Sequence, residues 1–109
     1  MGKRVVFYDL RDEGFVVSHS AGIRKIEMPA FAEVLGVQQH RGAIGVWMLV
    51  DEKMPLVAYA FRIAITSPRD PTLAEVPSKP GRYLGSVDVE NAFSTVHVFE
   101  VDPRSVESR

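Results

Sequence analysis

The chain contains no cysteine. That excludes a disulfide framework, a thiolate zinc site, an iron–sulfur cluster and a cysteine nucleophile. It has no excess of either charge. Thirteen Lys and Arg stand against 14 Asp and Glu, for a formal net charge of −1, and residues 1–54 hold seven of each sign. With no basic field to condense on phosphate, nucleic acid is not an expected partner. No apolar stretch reaches the roughly 18 residues of a membrane-spanning helix. The apolar run after Lys3 and Arg4 is only Val5-Val6-Phe7-Tyr8, too short for a signal segment. Gly2 is followed at position 6 by Val, where a myristoylation motif takes Ser or Thr. A cytoplasmic protein with no membrane contact is expected. There is also no G-x-S-x-G, Walker A, H-E-x-x-H or G-x-G-x-x-G motif. No catalytic residue, metal ligand or cofactor is therefore assigned.

What is present is β-branched. Sixteen Val and five Ile outnumber six Leu. Two heavy atoms on Cβ crowd a helix but pack well on a pleated surface. The 109 residues make one domain, and 46% hydrophobic with 25% charged residues is an ordinary globular mix. Strands are predicted near 3–10, 14–19, 23–28, 33–40, 43–50, 57–66, 82–89 and 94–101. Turn signals between them fall at Asp12-Glu13-Gly14, Ala21-Gly22, Met28-Pro29, His40-Arg41-Gly42, Asp51–Pro55 and Val89–Ala92. The last three read as hairpin loops, with Gly42 at a positive-φ position. The expected fold is mainly β: a compact antiparallel β-sandwich or partly open barrel of seven to eight strands, with at most one short helix. The domain is predicted over 1–101, with 102–109 as a flexible tail.

Two strands stand out. In 57–66, Val57, Tyr59, Phe61, Ile63 and Ile65 point one way, and Ala58, Ala60, Arg62, Ala64 and Thr66 the other. The small residues around Arg62 leave room for another layer, such as a second subunit or a ligand. In 43–50 both faces are apolar, which predicts a central strand covered on both sides, with Trp47 largely buried. Residues 29–37 carry a weak helical pattern that Gly36 argues against, and Asp70-Pro71 could cap one helical turn.

Residues 66–82 hold four of the seven prolines. A loop of this length is a stiffened surface excursion or a binding loop using Arg69, Asp70, Lys79 and Arg82. The three histidines, His19, His40 and His97, do not have the spacing of a metal site. His97 shares a face with Thr95, Phe99 and Val101 and reads as a half-buried, hydrogen-bonded histidine. The carboxylates Asp51, Glu52, Asp88 and Glu90 read as solvated, and Arg62 as paired to an acid such as Glu100 or Asp88.

Ile26–Pro29, Val34–Gly42, Val46–Asp51, Phe61-Arg62-Ile63, Tyr83–Ser86 and His97–Glu100 occur in an order that resembles a family of small uncharacterised bacterial and bacteriophage proteins. The resemblance covers roughly residues 23–100. Members of that family carry a Gly-Thr-Gly-His stretch after the Phe-Arg-Ile-like strand. Here the corresponding residues are Ala64-Ile65-Thr66-Ser67-Pro68. The resemblance implies a mobile-element setting and brings no catalytic residue with it.

Together these readings lead to a non-enzymatic binding or assembly module acting through protein–protein contacts, as a homodimer or with another protein. The alternative is a small-molecule-binding domain with a pocket near Arg62, Trp47 and the 66–82 loop. The candidate binding residues are Trp47, Arg62, Arg69, Asp70, Arg82 and His97.

Overall fold

A computed structural model describes residues 2–10, 21–66, 81–89 and 94–106. It holds seven strands: β1 (Lys3–Asp9), β2 (Ala21–Pro29), β3 (Glu33–His40), β4 (Ala43–Asp51), β5 (Leu56–Thr66), β6 (Arg82–Val89) and β7 (Ser94–Val101). They form two antiparallel sheets, one of three strands in the order β1-β4-β3 and one of four in the order β2-β5-β7-β6. The fold is an open sandwich and not a closed barrel. The strands expected from the β-branched runs fall where the runs are; the eighth, at 14–19, lies outside the described residues.

The core fills the space between the sheets. β4 contributes Ile44, Val46, Met48 and Val50, and β5 contributes Phe61 and Ile63. Met28, Val96, Val98 and Leu10 complete it. Each set repeats every second residue, as a strand with one face on a core requires. The burial is apolar throughout: among the described residues no polar or charged side chain is buried.

The two-residue loop Arg41-Gly42 closes the β3–β4 hairpin, with φ of 53° and 81°. Both values are positive, the condition of a type I′ turn, whose twist matches that of the paired strands. The expected hairpin at Asp51–Pro55 is instead a crossing between layers. β4 belongs to the three-stranded sheet and β5 to the four-stranded one. The Asp51 carboxylate accepts a bond from the Lys53 amide and holds this turn in place. Ala21-Gly22 is not a turn but the start of β2, paired with Ala64 and Ile63. The weak helical pattern at 29–37 gives way to β3, whose residues pair with β4.

Two edge strands carry a bulge each. Leu35 is the extra residue of β3 and Leu84 that of β6. These strands approach each other along one side of the sandwich, where Gly85 sits against Val37. A bulge sharpens the local twist and spoils a flat edge, which suppresses indiscriminate strand pairing. Within 102–109, expected as a tail, Pro103–Val106 makes one helical turn, α1. Asp102 caps it by accepting the Arg104 amide at 2.9 Å, with Pro103 at the first helical position.

Candidate functional site

Three stretches of sequence build the outward face of the three-stranded sheet. Register places Phe7 opposite Trp47, Val5 opposite Leu49, and Gly36 on the other side of Trp47. β4 is central, as its two apolar faces predicted, but only one of those faces meets the core. Val46 and Met48 are fully buried, whereas Trp47 and Leu49 are partly exposed. Trp47 is largely buried, as expected, but by its neighbours within the sheet and not by a second layer, and it centres an outer face. The reason is geometric: a sandwich supplies one covering layer per sheet, and no described element lies over this side.

The face has an aromatic cluster at its centre. Phe7 and Trp47 pack with ring centroids 4.9 Å apart, and His40 lies 5.3 Å from Phe7 and 5.5 Å from Trp47. Tilted and edge-on geometries of this kind suit the ring quadrupoles. The Trp47 indole N–H donates to the Gln38 side-chain oxygen. The ring's polar atom is therefore satisfied within the chain, and its apolar surface is what faces outward. Beside it Val5 is 56% exposed and Leu35 50%. Val5, Leu35, Gly36, Val37, Gln38 and Trp47 line a shallow groove of about 360 Å³. Charged and polar side chains surround the apolar centre: Lys3, Asp9, Glu33, Gln38, His40 and Arg41 are all exposed.

The outward face of the four-stranded sheet holds His97, paired in register with Ala64 on β5 and Ser86 on β6. Its ring is held at both nitrogens, with the Thr66 hydroxyl 3.1 Å from Nε2 and the Tyr83 hydroxyl 3.1 Å from Nδ1. A hydroxyl can donate or accept, so each of these two partners can serve whichever role its ring nitrogen leaves open. This is the half-buried, hydrogen-bonded state expected for it. Tyr83 also packs edge-on against Phe99 at 5.2 Å. Arg62 stands on the same face, between Ile23 and Phe99. Of the acids expected to pair with it, Asp88 accepts a bond from the Thr95 hydroxyl at 2.8 Å, and Glu100 is in register with Phe61, one step off the Arg62 row. The small residues of this strand do not leave the expected open floor. Ala60 and Ala64 are buried, with Val101 and His97 as their β7 neighbours.

The candidate binding residues therefore divide. Trp47 and Arg62 lie on opposite sheets with the core between them, so no single pocket contains both. Arg62 and His97 share a face. Arg82 opens β6 opposite Glu100 and lines a second shallow groove with Asp102, Pro103 and Arg104. Arg69 and Asp70 lie outside the described residues. Among the described residues, no three of His, Asp and Glu come together as a metal-holding group, and no helix is long and apolar enough to cross a membrane.

Val5, Phe7, Leu35 and His40 were not singled out from the sequence. The signal for them was in the alternation: Val5 and Phe7 match Leu49 and Trp47 in period. Pairing between β1 and β4 turns two separate alternations into one surface.

A two-sheet antiparallel sandwich whose smaller sheet turns an apolar, aromatic-centred face outward belongs to the class of compact β modules. Residues 16–109 match the family model described as Domain of unknown function (DUF7352), and the chain belongs to that family. No curated protein and no solved structure matches the chain.

Proposed function

We propose that this protein is a non-enzymatic binding or assembly module that works through protein–protein contacts, with the outward face of β1-β4-β3 as its contact surface. One observation carries the reading: Val5, Phe7, Leu35, Trp47 and Leu49 form one apolar stretch, with Val5 and Leu35 exposed, no described element over its outer side, and charged residues around it. An apolar centre with aromatic anchors and a polar rim is the anatomy of a protein interface. Scattered single apolar residues need no such explanation, but a contiguous stretch does. The family resemblance adds a phage or mobile-element setting.

A photo-crosslinking residue placed at Leu35 tests the reading, with Ala58 on the opposite sheet as control. We expect one discrete protein adduct at Leu35, lost when Val5→Asp is added, and none at Ala58. Equal labelling at both sites, or none at Leu35, overturns it.

A further inference from the structure

We infer that the occupant of this face is a second copy of the chain, laid across it with its strands reversed. The inference rests on the contact-face reading above and deepens it. β1 and β3 both run antiparallel to β4, so they run in the same direction as each other. Each carries opposite charges at its two ends. β1 begins at Lys3 and ends at Asp9; β3 begins at Glu33 and runs into His40 and Arg41. All five are exposed.

A twofold axis lying in the face, perpendicular to the strands and close to Trp47, reverses one sheet over the other. β1 then lies over β1 of the second copy and β3 over β3. Lys3 approaches Asp9 of the other copy, and Glu33 approaches Arg41, each contact occurring twice. The alternative twofold, along the strands, brings β1 over β3 and sets Lys3 near Glu33 but Asp9 near Arg41 at the same end of each sheet. That arrangement pairs charges and centres Trp47 on Trp47 too, yet it stacks the bulged β3 on β1, whereas the perpendicular axis lays bulge on bulge and sets the exposed Leu35 of one copy against Leu35 of the other. An isologous joint of this kind closes on itself at two copies. Sheets stacked face to face are about 10 Å apart, the thickness that Phe7, Leu35 and Trp47 side chains fill. The face is three strands wide, about 14 Å, and seven residues long, about 24 Å, a projected area of about 340 Å² per copy, which makes the joint a small one of the weak, reversible kind.

Sedimentation velocity of the full chain across the micromolar range reads the mass. We expect a shift from 12.1 kDa toward about 24 kDa, twice that value. Leu35→Asp should hold the chain at the single-copy mass with an unchanged far-ultraviolet circular dichroism spectrum. Charge reversal tests the orientation. Glu33→Lys alone faces Lys with Arg twice, and Arg41→Glu alone faces Glu with Glu twice; each should weaken the dimer by about tenfold. Mixing the two variants restores both opposite-charge contacts and should restore wild-type association. A wild-type mass of 12.1 kDa at every concentration overturns the second copy. The Leu35 cross-linking result separates that failure from failure of the face itself, since adducts to another protein leave the face standing. A dimer that both reversals leave unchanged, or that mixing does not restore, overturns the reversed orientation.

Discussion

Gly45 lies directly beneath the Phe7 ring. A Cβ at position 45 would stand 2.7 Å from Phe7 Cζ and closer still to the Tyr8 carbonyl oxygen. The missing side chain is what allows β1 to bring Phe7 down onto Trp47 and His40. Gly45→Ala forces backbone and ring apart, and should cost about 3 kcal/mol. Thermal denaturation checks the loss. A shift of Trp47 emission in the still-folded variant checks that the ring cluster has opened. A variant as stable as wild type would mean that the strands can separate at no cost.

Phe31 follows β2 in the left-handed region, with φ of 62°, and is 86% exposed. A bulky side chain there is strained and gains little burial in return. Phe31→Asn relieves the strain without the backbone entropy cost of Gly, and should stabilise the fold by about 0.5–1 kcal/mol. The readout is a rise in Tm. A fall would show that the Phe31 ring contributes packing that its exposure hides.

The Tyr8 phenol is held above its ordinary value of 10.0, first by burial and then by the negative charge of Glu52. The folded state therefore keeps its proton to higher pH than the unfolded state does. Stability from this group is intact below about pH 10 and is lost as pH rises from there through the folded-state pKa. Tyr8→Phe should flatten the alkaline limb of a stability–pH curve, and Glu52→Gln should move the phenolate absorbance transition toward lower pH. An alkaline limb identical in Tyr8→Phe would assign it to other groups.

His97 is held between Thr66 and Tyr83. His97→Gln keeps one hydrogen-bonding arm toward these hydroxyls and should fold, with a loss of about 1 kcal/mol. Because His97 and the aromatic cluster are on opposite sheets, the variant should sediment like wild type. Unfolding on this substitution, or a changed mass, would give His97 a larger role than a local clasp.

The sequence by itself determined the elements. Alternation of Val, Ile and aromatic residues places one face of each strand on a core, and that argument needs nothing beyond the pleat. It located β3, β6 and β7 at their ends and Arg41-Gly42 at its turn. It could not decide sheet membership, because a four-residue connection such as Glu52–Pro55 can close a hairpin or cross between layers. The meaning of Trp47 depended on that choice. A strand apolar on both sides reads the same whether its second face meets a layer or solvent, since alternation reports side-chain direction and not what lies opposite. Only the pairing of β1, β4 and β3 in one three-stranded sheet, with the core on its other side, made Val5, Phe7, Leu35 and Trp47 a single outward surface. The same pairing set Arg62 on the far side of the molecule, because non-local strand order is a tertiary outcome that no local pattern encodes.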